Sequence, residues 1–242
     1  MARYGLIGSP VSHSISPELM ANLGIPYEAR EVRPEELPAF MSKEALDFSG
    51  LNITTPLKEA IVPFLVSLSP EARKIGAVNC SVRHGHLWEG HNTDHIGVSF
   101  ALRYLGLRPK SALIVGTGPA ARAAAFALSS KGIRFLFLSR KPGPRRIAWK
   151  DIVPASLKPF DLIIGAAPPG TLSLLSEFLE PHNFVLDMNY GERSEKLPVP
   201  GFSNGIPILL GQATASVALW FGGEFNDWAE RLVSSAKHMG IL

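Results

Sequence analysis

The chain has 242 residues, of which 46% are hydrophobic and 19% charged, and its formal net charge is +3. This allows one large domain or two smaller ones, each with its own core. The basic residues are spread out apart from the stretch 140–146, so no broad basic stripe for nucleic acid exists; a mild positive surplus suits small anions better. No apolar run approaches the roughly 20 residues of a membrane span. The first residues hold an apolar patch too short for a secretory leader, and a lone cysteine, Cys80, excludes an intrachain disulfide. A reducing cytoplasm is the expected location.

Strand-like and helix-like pieces alternate. Residues 4–8 read as a short buried strand. A short helix is expected over 17–23, with Ser16 as N-cap and Pro17 at its first position. A strand is expected over 27–32 and a helix over 34–47. Residues 51–54 read as a strand that breaks at Pro56, and a helix is expected from Leu57 to about Leu68. A hairpin is expected from 77–82 and 86–89 around His84-Gly85. A helix over 93–105 ends near Gly106. From Ser111 the order is strand (111–115), glycine loop, helix (120–131) and strand (133–139). Further strands are expected at 161–165 and 184–188, and closing helices at 211–221 and 224–239. This order predicts an α/β protein with mostly parallel sheets.

Residues 111–140 carry a strand, Gly116-Thr117-Gly118, an alanine-rich helix and a second strand. Glycines permit the tight turn and let the backbone approach a pyrophosphate, which then meets helix N-terminal N–H groups. Ala121 stands where the third small residue of such a fingerprint falls. Pro119 removes one N–H donor but suits a first helical turn. The second strand ends at Ser139-Arg140-Lys141 with no acid to meet a ribose 2′-hydroxyl. A hydroxyl and two cations favour a 2′-phosphate, hence NADP over NAD.

Polar clusters follow the predicted strands of the first hundred residues: Ser9, Ser12, Ser14 and Ser16; Asn52, Thr54 and Lys58; Asn79; and Asn92, Thr93 and Asp94. Singly, each has a structural use as a cap, a turn hydroxyl or a surface charge. Together, at strand ends where open α/β sheets hold their ligands, they suit a small polyhydroxylated ligand. His91, Asp94 and His95 lack any further ligand spacing, and no metal site is expected.

These residues resemble the shikimate dehydrogenase family, in order along most of the chain. The resemblance rests on Tyr4-Gly5-Leu6-Ile7-Gly8, Ser14-Ile15-Ser16-Pro17, Asn52-Ile53-Thr54-Thr55-Pro56-Leu57-Lys58, Gly76-Ala77-Val78-Asn79 and Asn92-Thr93-Asp94. The glycine loop, Ser139-Arg140, Asp187-Met188-Asn189-Tyr190 and Gly211-Gln212-Ala213 complete it. It implies an N-terminal α/β substrate domain (1–96 with 213–242), a C-terminal Rossmann-like, doubly wound parallel domain (97–212), and a cleft between them. The implied reaction is reversible NADP-dependent reduction of 3-dehydroshikimate to shikimate, in the route to aromatic amino acids. Alternatives are a broader quinate/shikimate dehydrogenase and a non-catalytic, NADP-binding regulatory relative.

Position by position, the resemblance implies a catalytic pair, Lys58 and Asp94. Ser14, Ser16, Thr54, Asn79, Asp94, Tyr190 and Gln212 are then substrate residues. Gly116, Thr117, Gly118, Pro119, Ala120, Ser139, Arg140, Ala166 and Gly205 face the cofactor. The chain departs from the family at Pro119, Ser139 and Gly165-Ala166-Ala167-Pro168, and it is trimmed between Glu18 and Tyr27 and between Arg140 and Asp161. The expected partner is the small-molecule substrate, with neither nucleic acid nor membrane, and the chain acts as a monomer, a homodimer or one module of a larger pathway enzyme.

Overall fold

A computed structural model describes residues 2–197 and 199–242. It divides into two compact units, Met1–Thr93 with Leu210–Leu242, and Asp94–Leu209. The chain thus passes from one to the other at 93/94 and 209/210, each three residues before the expected 96/97 and 212/213 boundaries.

The first unit contains β1 (Arg3–Gly8), α1 (Ser16–Ala21), β2 (Tyr27–Glu31), α2 (Leu37–Ser42), β3 (Phe48–Ile53), α3 (Leu57–Ala60), β4 (Ser67–Leu68), α4 (Pro70–Ile75), β5 (Cys80–His84) and β6 (Leu87–His91). Its six strands run in the order β2-β1-β3-β5-β6-β4. β1 is parallel to β2 and β3, whereas β5 is antiparallel to β3 and β6. Ile7, Phe40, Phe48, Leu51, Ile53, Leu57, Ile61 and Trp88 form its apolar core.

Several boundaries differ from expectation for local reasons. The helix expected over 34–47 begins only at Leu37. Pro38 sits in its first turn, because a helix begun at Pro34 would press the Pro38 ring against the carbonyl four residues back. It ends at Ser42, Lys43 leaves helical geometry, and a 3-10 turn, Glu44–Asp47, follows. Ser16 is not the N-cap of α1 but its first residue; its N–H donates to Ser14 Oγ at 3.2 Å. The hairpin is shifted, with His84 opposite Leu87 and Gly85 at φ +64° in the turn. The helix expected from Leu57 to about Leu68 ends at Ala60; Pro63 sits in a 3-10 turn, Val62–Phe64, and Ser67–Leu68 is strand β4. The sequence reading missed α4, although Ser69 caps it through Ala72 N–H at 3.1 Å and left-handed Gly76 ends it.

The second unit contains α5 (Asp94–Tyr104), β7 (Ser111–Val115), α6 (Pro119–Ser130), β8 (Arg134–Ser139), β9 (Arg146–Ala148), β10 (Leu162–Gly165), β11 (Phe184–Asp187) and β12 (Gly201–Ser203). All six strands are parallel, in the order β12-β11-β10-β7-β8-β9. This is the doubly wound order, with its reversal between β7 and β10. Alternate residues face opposite layers. Ile114, Leu162, Ile164 and Leu186 pack with Ala121, Ala124 and Leu128 of α6, while Leu113, Val115, Ile163 and Val185 pack with Leu157, Leu172 and Leu175. The expected order of strands held; the short β9 and β12 escaped notice, since three residues carry too little periodicity.

Helix α7 (Ile206–Phe221) begins five residues before the expected Gly211 and α8 (Phe225–His238) follows. Asn204 Oδ1 accepts the Ile206 N–H at 3.0 Å, so the start lies upstream of the expected residue. Within the first unit, the Trp220 ring lies over Gly50 of β3, and its Nε1 donates to Ser81 O at 3.0 Å. A Cβ on Gly50 would fall 2.2 Å from Trp220 Nε1. Gly50→Val is therefore expected to lower stability by about 1–3 kcal/mol through overpacking, read as a lower urea midpoint with unchanged slope.

Candidate functional site

In the first unit, β1 and β3 are adjacent and parallel, so their C-terminal loops emerge side by side. Ser9 N–H donates to Thr55 O at 3.1 Å, and Thr54 N–H to Ile7 O at 2.9 Å. A Cβ on Gly8 would lie 2.3 Å from Thr54 Cγ2 and 2.9 Å from Thr55 O, so only glycine lets these loops close together. Half-buried Ser14 and buried Ser16 lie on the first loop and the start of α1. Half-buried Thr54 follows β3, and half-buried Lys58 stands in α3. Val78 N–H donates to Lys58 O at 2.8 Å, which ties α3 to the segment before Asn79.

Because β5 is antiparallel to β3, it starts at the edge where β3 ends. Asn79 bridges that edge: its carbonyl accepts the Ile53 N–H at 2.9 Å and its N–H donates to His91 O at 3.1 Å. Its side chain is buried in a polar network. Asn79 Oδ1 accepts the Thr93 N–H at 2.5 Å, and Nδ2 donates to Thr93 Oγ1 at 2.9 Å and to Gln212 Oε1 at 3.3 Å. Asn52 Nδ2 donates to Asn79 O at 3.2 Å and to Ser216 Oγ at 2.9 Å, while Tyr27 OH donates to Asn52 Oδ1 at 2.9 Å. Buried amides must find such partners, and here they find one another.

The second unit has its own polar edge at the C-terminal ends of β7, β8, β10 and β11. Gly116 sits after β7 at φ +112°, and a Cβ there would lie 2.6 Å from Ala166 O. Both the backbone angle and the close approach of the β10 loop demand glycine. Gly118 is the N-cap of α6, with Pro119 in its first turn and Arg122 N–H donating to Gly118 O at 3.0 Å. Thr117 and Ala120 are half-buried. This glycine turn at a helix N-terminus is a place where the phosphates of a nucleotide fit. Ser139 is buried; its hydroxyl donates to Lys141 O at 2.6 Å and accepts the Lys141 N–H at 3.1 Å. Ser139 therefore shapes a turn, and the side chains of Arg140 and Lys141 beside it are exposed. Gly205 N–H donates to Asn189 O at 2.7 Å, and a Cβ there would collide with Met188 O at 2.5 Å.

The structure thus brings Ser14, Ser16, Thr54, Lys58, Asn79 and Gln212 to one edge of the first sheet, and the glycine loop, Ser139, Arg140, Ala166 and Gly205 to one edge of the second. Asp94, buried at the start of α5, and half-buried Tyr190 belong to the second unit. Sequence reasoning gave no part to Ser216, one turn of α7 beyond Gln212; the i, i+4 spacing was the available signal. It also passed over Asp187 as more than a motif letter. Burial pushes that carboxyl above the usual range, against hydrogen bonds from Asn189 N–H, Asn189 Nδ2, Ser194 Oγ and Glu195 N–H. Among the described residues, no group of three or more His, Cys, Asp or Glu is arranged to hold a metal ion, and no helix is long and apolar enough to cross a membrane.

A family profile described as the shikimate dehydrogenase substrate binding domain matches residues 6–81. The chain is 34% identical to the shikimate dehydrogenase (NADP(+)) of Anaeromyxobacter sp. strain Fw109-5, over 91% of each chain. It belongs to the shikimate dehydrogenase family. Among solved structures, shikimate 5-dehydrogenase of Thermus thermophilus in complex with shikimate superposes with a TM-score of 0.84, at 29% identity, over 98% of this chain and 100% of that one. The same enzyme in complex with NADP(H) and shikimate gives 0.82 at 28% identity, over 97% and 100%.

In this family member, His91 closes the network edge and stays neutral more readily than a free histidine. Burial lowers its pKa, while Glu89, 3.6 Å away, works in the opposite direction. A base with a depressed pKa stabilises the fold above its unfolded value of about 6.5, and that contribution is lost as pH falls through the window below. The urea midpoint is expected to drop between pH 7.5 and 5.5, and His91→Gln to make the drop smaller.

Proposed function

We propose that the chain is an NADP-dependent shikimate dehydrogenase. The observation that carries this reading is the set Ser14, Ser16, Thr54, Lys58, Asn79 and Gln212 at one sheet edge, in a chain whose relatives bear that name. Hydroxyls and amides suit the ring hydroxyls of a small acid, and Ser14 with Ser16 suits its carboxylate. NADPH, when bound, supplies hydride to the ketone carbon. The glycine turn at Gly116-Thr117-Gly118 and the α6 N-terminus hold its phosphates, and Arg140 pairs with the 2′-phosphate.

Lys58 stabilises the negative charge that develops on the carbonyl oxygen and supplies its proton; in the reverse direction it removes the proton. Asp94 is the second member of the pair and hydrogen-bonds the substrate. Tyr190 is a further substrate residue of this reading.

Mixing the protein with shikimate and NADP is expected to raise the reduced-nicotinamide absorbance; no signal at high protein concentration would reject the reading. Faster turnover on quinate would assign the broader activity. Lys58→Ala should lower kcat by about 100-fold or more with far less change in KM for shikimate, as loss of a proton-transfer group does. An unchanged rate would end the assignment of Lys58. Arg140→Ala should weaken NADP by roughly tenfold to a hundredfold, the worth of one charge-assisted contact, and leave NAD nearly unaffected. The measurement is KM for each cofactor at saturating shikimate.

A further inference from the structure

Ser216 has no part in the chemistry just described, yet it is fully buried at the centre of the polar network. Its Oγ donates to Gln212 O at 3.0 Å, accepts from Asn52 Nδ2 at 2.9 Å and lies 3.3 Å from Thr93 Oγ1. The orientations of the amides around it follow from their partners. Backbone Thr93 N–H can only donate, so the Asn79 atom it meets at 2.5 Å is oxygen. Asn79 Nδ2 then faces Thr93 Oγ1 and Gln212 Oε1. The Gln212 oxygen is therefore turned into the network, and its NH₂ is turned out of it.

Asn52 is fixed in the same way. Its Oδ1 accepts from Tyr27, and its Nδ2 hydrogens go to Asn79 O and Ser216 Oγ. Both amide hydrogens are consumed inside the unit, so Asn52 acts as a strut that joins Asn79 to Ser216. Without the Ser216 hydroxyl, one buried Asn52 hydrogen loses its acceptor. Among the acceptors that remain in the network, Thr93 Oγ1 and Gln212 Oε1 are the ones that orient Asn79 and Gln212. A buried donor left unmatched competes for them, and the amide arrangement loses its single solution.

We infer that Ser216 is a positioning residue for the substrate: through Asn52 and Thr93 it holds the Asn79 and Gln212 amides so that Gln212 presents NH₂ donors to an oxygen of the hydroxylated ring acid. The inference rests on the reading of the chain as a shikimate dehydrogenase. It sets the chemistry of the contact, because a donor at Gln212 selects an acceptor oxygen on the ligand and Asn52 has no amide hydrogen left to offer.

The test is steady-state kinetics on the whole protein, with shikimate and NADP varied in turn, for the wild type, Ser216→Ala and Ser216→Thr. Ser216→Ala is expected to raise KM for shikimate about fivefold, the worth of roughly one hydrogen bond, with KM for NADP nearly unchanged and the melting temperature lowered by a few degrees for the unmatched Asn52 donor. Ser216→Thr keeps the hydroxyl and is expected to stay close to the wild type. An unchanged shikimate KM in Ser216→Ala overturns the inference. So does an equal rise for both substrates, which marks general loosening, or an equal rise in the Ala and Thr variants, which marks packing. If Ser216→Ala does not fold, Ser216→Cys, with similar shape and a weakly bonding sulfur, is read by the same criteria. A wild type that neither turns over shikimate nor binds it by calorimetry rejects the functional reading, and the inference with it; an active wild type with an indifferent Ser216 rejects the inference alone.

Discussion

Parallel strand pairing is the constraint on which the rest depends. Parallel neighbours cannot be joined by a tight turn, so each strand must hand the chain to a crossover and all C-terminal ends collect at one edge. In the first unit this brings the loops after β1 and β3 into contact, and the antiparallel β5 then begins where β3 stops. In the second unit it brings the turn after β7 against the loop after β10, at the point where strand order reverses. The polar residues collect at these edges because there the backbone leaves the ladder and side chains must take over its hydrogen bonds.

The two edges solve that problem with different chemistry. The second uses backbone: Gly116 and Gly205 remove side chains so that main-chain atoms approach within a distance no Cβ tolerates. Such an edge suits an anion recognised by N–H groups. The first uses side-chain amides and hydroxyls that satisfy one another, as Asn52, Asn79, Thr93, Gln212 and Ser216 do. Such an edge suits a hydroxyl-bearing ring, whose groups need donors and acceptors in fixed places.

Much of this was legible in the sequence. The glycine fingerprint, the alanine-rich α6 and the apolar strands β7, β10 and β11 each carry a local signal strong enough to locate them within a residue or two. The candidate substrate residues were found as clusters at strand ends. What was missed depends on contacts between distant segments. Nothing near Ser216 says that Asn52, far upstream, will donate to it, and nothing near Ser139 says that its hydroxyl will fold back on Lys141. Local rules applied too freely account for the rest. Pro38 forbade a helix from Pro34, and Asn204 started α7 before the expected Gly211.

The first unit is discontinuous: it is built from residues before Asp94 and after Leu209, with the second unit whole between them. On the ribosome this reverses the usual order of completion, in which N-terminal domains finish first. The segment that emerges earliest carries Asn52, Asn79 and Thr93, but their partners Gln212 and Ser216 are synthesised only after the entire second unit. Until α7 arrives, Gly50 lacks the indole that covers it and Asn52 lacks an acceptor. The half of the protein that is begun first is the last to be finished, and during translation its polar seam stays open until α7 joins it.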